Sequence, residues 1–581
     1  MDGTLEKIRH SASHVLAIAV KKLYPNIKLG IGPAIEEGFY YDFDNLSIKD
    51  ENLKKIEKEM SNIIKQKLIF KKIKSDKTKA KNLLKDEPYK LELLEELNDK
   101  DISFYETGNF KDLCKGPHVK NSSEIKAFKL LSVAGAYWKG DSKNKMLTRI
   151  YGTAFKTEKD LQTFLFQREE AEKRNHIKVG KELGIFTINN LIGKGLPIWL
   201  PNGNIIKEEI EKFAKEKELE AGYQRVTTPH LAKKELFIKS GHLPYYEDSM
   251  YPSMKMDDGT YYLKAMNCPF HHLIFTHKLR SYRKLPLRIA EYGTCYRNEL
   301  SGTLAGLLRV RMLNMNDAHI YCTKDQIERE FSNVVKLIKD YYKIFGFKDY
   351  YFRLSKWSSE NKKKYINQPE NWEYTEDILR KALKKLKVKF IEAEDEAAFY
   401  GPKVDVQFKT VLGREETILT IQLDFLAKER FSLQYQDKSG NMNKNVFVIH
   451  RAPLSVHERF IAFLIEHYGG KFPLWLSPIQ IRILSLTDRN KKFVETLEKQ
   501  FLKEGLRVDI DVRSESMSKK VKDSQDQKIP LVGVIGDKEQ KSKNISIRTL
   551  DGKIQYDVKI EKFLEKTKRF IQEKSSAYNF K

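Results

Sequence analysis

No single hydrophobic core can organise a chain of 581 residues, because cores stop growing at about 250 to 300 residues and longer chains split into domains. The sequence therefore has to be read in pieces. From Leu5 to Leu23, apolar Leu5, Ile8, Val15, Leu16, Ala19 and Val20 recur at helical spacing, and Gly38-Phe39-Tyr40-Tyr41-Asp42-Phe43 reads as strand. A mixed α+β domain over residues 1–158 follows. Lys159 to Lys181 is laced with charge and carries Leu161, Phe164, Leu165 and Ala171 at its apolar positions, which suits a helical linker over 159–182. A larger unit, 183–474, interleaves aromatic and β-branched strands with helices. The last unit, 475–581, opens after Pro473 and Pro478 with the alternating strand Gln480 to Leu486. It continues as helix, Gly505, strand Val508 to Val512, helix, strand Leu531 to Ile535 and a C-terminal helix, which implies a parallel or mixed sheet covered by helices.

The net charge of +26 attracts polyanions, and nucleic acid is the obvious candidate partner. The bland alternative is a lysine-rich proteome, visible in Lys71-Lys72-Ile73-Lys74 and in Lys77, Lys79 and Lys81. Four cysteines do not make a disulfide framework, and no apolar stretch approaches the roughly 20 residues needed to span a bilayer. Met1 to Val20 carries acidic Asp2 and Glu6 rather than a basic-then-apolar signal, so a reducing cytoplasm is expected.

Two short patterns in the first domain share a residue inventory: His10-Ser-Ala-Ser-His14 and Cys114-Lys-Gly-Pro-His118. Residues four apart share a helix face, so His10 and His14 can aim at one point. The second pair sits on a Gly-Pro turn. Imidazoles and a thiol can hold zinc, or can position a water and take its proton. In the central unit, Tyr296-Arg297-Asn298-Glu299 and Arg309-Val310-Arg311 gather arginines around the Gly302 and Gly306 loop. Arginine's planar fork suits phosphate and carboxylate, and a nearby glutamate can accept from an amine or hold magnesium; a surface ion-pair network is the alternative. Glu458-Arg459 then follows His450-Arg451-Ala452-Pro453 at the head of an apolar helix. Spacing alone says nothing for Cys268, His319 and His450 as one metal site.

Met266-Asn267-Cys268-Pro269, Tyr296-Arg297-Asn298-Glu299, Asn316-Asp317-Ala318-His319, Phe399-Tyr400-Gly401-Pro402-Lys403 and Ile449-His450-Arg451-Ala452 resemble the catalytic core of threonyl-tRNA synthetases. The first domain, with its His10/His14 and Cys114/His118 pairs and Ala134-Gly135-Ala136-Tyr137-Trp138, is similar to that family's editing domain, and the tail is similar to its anticodon-binding domain. The resemblance implies an α+β multidomain chain: a class II synthetase core on an antiparallel sheet, an α+β editing domain and an α/β anticodon-binding domain. It implies a homodimer through the helix and strand that end at Pro229, acting on L-threonine, ATP with Mg2+, and tRNA(Thr), with no membrane. Arg297 would clamp the α-phosphate, Glu299 meet the adenine amine, and Arg309 and Arg459 hold the γ-phosphate end, with Lys403 in the catalytic set and Gln422 on the ATP side. One Zn2+ per subunit on Cys268, His319 and His450 would separate threonine from valine, which an apolar pocket does by only about a hundredfold. Asp317, Tyr400 and Met266 would complete the threonine pocket. Serine keeps the hydroxyl, so a second, hydrolytic site is implied at His10, His14, Cys114 and His118, with Lys90 and Asp112. Glu539 and Arg548 match anticodon-reading positions.

The pattern departs from the family at several points. The family commonly has a small ubiquitin-like domain before the editing domain, whereas here the chain starts almost at the His10 helix. Leu313 stands where an adenine-stacking phenylalanine is usual, Met315 where a glutamine is usual, Thr417-Ile418-Leu419 for Gln-Cys-Gly, and Ser455 at a glycine position. These departures motivate one rival reading, a tRNA-binding or regulatory protein that has lost activation; a closer rival is a synthetase for another amino acid such as serine or proline.

Overall fold

A computed structural model describes residues 3–141, 143–409 and 415–580. The chain separates into two compact units, one ending at Glu169 and the other beginning at Glu170. In the first, the helix Gly3–Leu23 buries Ile8, Val15, Leu16, Ala19 and Val20 of the residues that carry its helical spacing, and Ala12 besides, while Leu5 is only half-buried. They pack with Phe39, Tyr41 and Phe43 from the strand Gly38–Asp44. That strand lies in an antiparallel sheet ordered Lys28–Leu29, Gly38–Asp44, Met146–Phe155, Ala127–Tyr137. A separate three-stranded sheet of Phe70–Lys74, Ser103–Thr107 and Phe110–Leu113 carries the approach to Cys114.

The single charge-laced helix expected over Lys159 to Lys181 is two helices, Glu158–Arg174 and His176–Glu182. Asn175 stands between them with φ −48° and ψ 121°, and its side chain accepts from Ile177 N and Lys178 N. Apolar periodicity does not register such an N-cap. Asn175→Ala should cost about 1 kcal/mol, measured as a lower denaturation midpoint for the second unit.

The second unit is built on an eight-stranded sheet ordered Gln224–Arg225, Leu287–Tyr296, Met312–Cys322, Phe447–Arg451, Glu415–Asp424, Lys403–Lys409, Tyr350–Ser355, Phe390–Ala393. Only the outermost pairs are parallel; every inner pair is antiparallel. The helices Pro201–Glu220, Ile327–Phe345 and His457–Tyr468 close its core. The C-terminal sheet runs Val508–Asp511, Ile481–Ser485, Leu531–Ile535, Asn544–Thr549, Ile554–Lys559 and is mixed, parallel in its first two pairings and antiparallel in its last two. The strands Asn544–Thr549 and Ile554–Lys559 stand where the sequence reading ran directly on to the C-terminal helix. Among the described residues no helix is long and apolar enough to cross a membrane.

Candidate functional site

Sheet register brings together residues that sequence spacing keeps apart. His319 lies directly opposite His450, His450 opposite Gln422, and Gln422 opposite Lys403. Opposed residues share a face, so these side chains form one row across neighbouring strands, with Asp317 two residues from His319 on the same side. Cys268 joins them as the first residue of the helix Cys268–Thr276, where Pro269 is tolerated because a first-turn N–H has no intrahelical partner. The donor atoms of Cys268, His319 and His450 all lie within 4.8 Å of one another.

The surroundings hold these donors. His450 Nε2 faces Asp424 Oδ2 at 3.2 Å, while Asp424 Oδ1 accepts from Leu426 N and Ala427 N at 2.7 and 2.9 Å. Burial opposes ionisation of Asp424, but the hydrogen bond and charge of His450 outweigh it and hold the carboxyl below its usual range. Asn267 Nδ2 donates to Asp317 Oδ2 at 3.1 Å. That contact depends on Gly293, where a Cβ would fall 2.2 Å from Asn267 Oδ1. Burial pushes the Cys268 thiol well above its ordinary pKa and the His319 imidazole well below, so both are neutral until a cation arrives. One thiol and two imidazoles on an open-sided scaffold are a donor set for zinc. Tyr400 stacks on His450 at 5.5 Å and donates its hydroxyl to Gln422 Oε1. A cavity of about 30 Å³ beside them, lined also by Ser240, His242, Asp424 and Arg430, has room for a water or an ion. Met266, next but one to Cys268, is partly buried and packs on the apolar cluster of Phe237, Leu243, Met250, Tyr262, Ala265 and Phe270.

The predicted arginines form a second group. Arg309 Nε pairs with Glu299 Oε2 at 3.0 Å, and Arg311 Nε donates to the Glu299 carbonyl at 2.9 Å. Arg297 Nε donates to the Ala265 carbonyl at 3.4 Å. Arg459 meets Glu416 at 3.2 Å, and its Nε is buried with no hydrogen-bond partner among the described residues. Its pKa is lowered by burial and by the Arg309 charge, against the pull of Glu416. Lys403 Nζ lies 3.1 Å from Asp405. Leu313 is buried with Cys295 and Val310, with Met315 and Val456 packed against them, so it lies in a small core rather than on an open face. Thr417 Oγ1 accepts from Gln407. Ser455 has φ +53°, in the left-handed region where glycine is free and other residues are strained by about 1 kcal/mol.

In the first unit, His10 and His14 converge as their spacing requires. Cys114 Sγ lies 3.4 Å from His10 Nε2 and 3.3 Å from His118 Nε2. His10 Nδ1 donates to the Pro117 carbonyl at 3.2 Å, so its Nε2 lone pair faces the thiol. His14 Nε2 is 3.7 Å from Asp112, which also receives Lys90 Nζ at 2.6 Å and the Tyr41 hydroxyl at 2.6 Å. Gly116, at φ +78°, lets the turn pass Tyr105, whose hydroxyl a Cβ would meet at 2.4 Å. Burial lowers the pKa of His10, lowers His14 and His118 further, and raises Cys114 to about 11. The neutral imidazoles can take a proton from a water, which the un-ionised thiol cannot, and the donor atoms of all four residues lie within 4.8 Å of one another, close enough to share a cation.

Glu539 lies on the helix Asp537–Ser542 and Arg548 on the strand Asn544–Thr549, opposite Val532. Glu539 accepts from Gly536 N and from Ser546 Oγ, and Arg548 lies two residues beyond Ser546 on the same strand. The sequence reading missed Tyr41, Asn267, His271, Glu291 and Asp424. Asn267 and His271 lie inside or beside the Cys268 segment and were within reach; Tyr41, Glu291 and Asp424 have no local signal.

Residues 251–468 match the tRNA synthetase class II core domain (G, H, P, S and T), 102–151 the threonyl and alanyl tRNA synthetase second additional domain, and 480–570 an anticodon binding domain. The chain is 46% identical over 98% of its length to a threonine–tRNA ligase of Oceanobacillus iheyensis, covering 89% of that protein. It is 47% identical over 97% of its length to one of Staphylococcus epidermidis, covering 88%. Among solved structures, the RNA binding domain of a Cryptosporidium parvum threonyl-tRNA synthetase superposes with TM-score 0.63 at 32% identity, over 68% of this chain and 98% of that one. A prolyl-tRNA synthetase from the same organism shares the fold, with TM-score 0.52 at 15% identity over 68% of this chain and 75% of that one.

Proposed function

The chain belongs to the threonine–tRNA ligase family, and from that premise we propose how its residues divide the work. The enzyme activates threonine with ATP and Mg2+, transfers it to tRNA, and proofreads mischarged tRNA through its second additional domain. In activation the threonine carboxylate attacks the α-phosphorus: a carboxyl O–P bond forms, the bond to the bridging oxygen breaks, and pyrophosphate leaves. Arg297 holds the α-phosphate, Arg309 and Arg459 the γ-phosphate end, and Glu299 the adenine amine, while Lys403 and Gln422 flank the reacting groups. Fixed guanidinium charges stabilise the charge that develops on the phosphate oxygens without reorganising.

The row His319, His450, Gln422, Lys403 carries this reading, because it sets the zinc donors beside the ATP-side residues on one face. Cys268, His319 and His450 would hold zinc, which would supply Lewis-acid coordination to the amine and hydroxyl of threonine; valine has no hydroxyl to offer. Asp317, oriented by Asn267, accepts from the same groups, and Tyr400 closes the pocket. His10, His14, Cys114 and His118, with Lys90 and Asp112, hydrolyse seryl-tRNA(Thr). Glu539 and Arg548 read the anticodon. Residues 1–158, 159–182, 183–474 and 475–581 serve as the editing domain, linker, catalytic domain and anticodon-binding domain. The enzyme works in the cytoplasm as a homodimer; its four cysteines are unpaired, which suits a reducing compartment, and the helix Pro201–Glu220 with the strand after it supplies the dimer contact.

Side-by-side ATP–pyrophosphate exchange with threonine, serine, valine and proline tests this reading. Threonine should drive exchange, serine should do so more weakly, and valine should fall roughly 10⁴-fold below threonine, since a pocket built to bond a hydroxyl rejects an analogue lacking it. No threonine-dependent exchange by zinc-replete protein would sink it.

A further inference from the structure

Two buried residues outside the candidate ligand set, His271 and Glu291, form a hydrogen-bonded chain that ends on His319. His271, fully buried on the same helix as Cys268, places its Nδ1 2.8 Å from His319 Nδ1 and its Nε2 3.1 Å from Glu291 Oε2. Glu291 lies one strand over, directly opposite Asp317, and is 3% exposed. Its Oε1 accepts from Thr228 N at 2.7 Å, its Oε2 from Thr228 Oγ1 at 2.9 Å, and Lys264 Nζ stands 3.6 Å from Oε1. Lys264 is itself fully buried and donates to Thr228 Oγ1 at 2.8 Å.

Two ring nitrogens 2.8 Å apart must share one proton between them. A carboxylate accepts only, so the proton of neutral His271 sits on Nε2, toward Glu291, and its Nδ1 carries the lone pair. That lone pair accepts the Nδ1 proton of His319, which leaves the lone pair of His319 on Nε2. The other histidine donor is fixed more simply, since Asp424 takes the Nε2 proton of His450 directly and leaves Nδ1 free. One ligand is thus backed by a carboxylate, and the other by a carboxylate acting through an intervening imidazole.

We propose that His271 and Glu291 are positioning residues for the threonine pocket: together they hold the Nδ1 proton of His319 and turn its Nε2 lone pair to zinc. The inference rests on the zinc reading above. Backing groups of this kind fix the tautomer and ring orientation of a ligand, and losing one typically costs about 10- to 100-fold in metal affinity.

The test is the zinc dissociation constant of the full-length enzyme, read by competition with a chromogenic chelator, with far-UV circular dichroism to verify folding. His271→Leu should weaken zinc binding by about 10- to 100-fold and raise KM for threonine while leaving KM for ATP unchanged. His271→Gln, whose amide offers an acceptor to His319 and a donor to Glu291, should recover most of the affinity. Should His271→Leu fail to fold, the near-isosteric Glu291→Gln decides: the relay requires its zinc affinity to fall. A folded His271→Leu or Glu291→Gln enzyme with wild-type zinc affinity overturns the relay. A wild-type enzyme that takes up no zinc overturns the pocket reading and the relay with it.

Discussion

Cys268→Ala enzyme should lose about one zinc ion per chain and about 10³-fold or more of its threonine-dependent exchange rate, which corresponds to ~4 kcal/mol of transition-state stabilisation. Cys268 would supply the only soft, charge-bearing ligand of the proposed triad. Without it, only the imidazole nitrogens of His319 and His450 remain, and neither Asp424, engaged by His450, Leu426 N and Ala427 N, nor Asp317, held by Asn267, is free to swing in as a replacement. The loss should fall on threonine. Arg297, Glu299, Arg309 and Arg459 make their contacts with Ala265, one another and Glu416, and none of these passes through Cys268. KM for ATP should therefore move little while KM for threonine rises steeply. Metal analysis of wild-type and variant protein, alongside exchange at varied threonine and varied ATP, measures both halves. A variant that retains exchange while its zinc is gone would mean that Asp317 and Tyr400 recognise threonine unaided.

What the sequence made legible follows from the range over which each interaction acts. His10 and His14 were readable because a helix puts residues four apart on one face, and Cys114 and His118 because a short turn returns the chain on itself. The zinc triad had no such local geometry. Its members meet because Met312–Cys322 pairs with Phe447–Arg451 in a register that opposes His319 to His450, a fact about strand order that periodicity does not encode. Only the resemblance of the flanking strings singled them out. Groups that act on the ligands rather than as ligands were invisible for the same reason: Asp424, Glu291 and Tyr41 are ordinary residues of ordinary strands until the fold places them. Other gaps were local. Ile545-Ser546-Ile547-Arg548 alternates as a strand should, and Asn175 is a good N-cap residue; both signals stood in the sequence. The departures on the adenine side divide similarly. The glycine preference at Ser455 matches a left-handed backbone, whereas the enclosure of Leu313 by Cys295 and Val310 required the packed structure.

His10→Ala enzyme should charge threonine at the wild-type rate yet deacylate seryl-tRNA about 10² to 10⁴ times more slowly, the usual worth of a positioned general base, and Cys114→Ala enzyme, which loses the group packed against His10 Nε2, should also charge normally and clear seryl-tRNA more slowly. The proposed activation residues lie in the unit beginning at Glu170 and the proposed hydrolytic cluster in the unit ending at Glu169, so either side should be separable by mutation. Cys114 is a poor nucleophile here: burial raises its thiol to about 11, leaving little thiolate at neutral pH. The proposed base is His10, whose Nδ1 proton is committed to the Pro117 carbonyl and whose Nε2 lone pair faces Cys114. Its pH dependence follows with a definite sign. Burial lowers the His10 pKa below 6.5, and Lys90 acts the same way, against opposing pulls from the Pro117 carbonyl, Asp112 and Glu6. The imidazole therefore stays neutral, and able to accept a proton, at pH values where a free histidine is already charged. Deacylation of seryl-tRNA should persist as pH falls through 6.5 and decline only on further acidification, when His10 gains its proton. Single-turnover deacylation between pH 5 and 8 measures this. A rate that halves at pH 6.5 would point to a solvated histidine, and undiminished clearance by both variants would move the hydrolytic role away from this cluster.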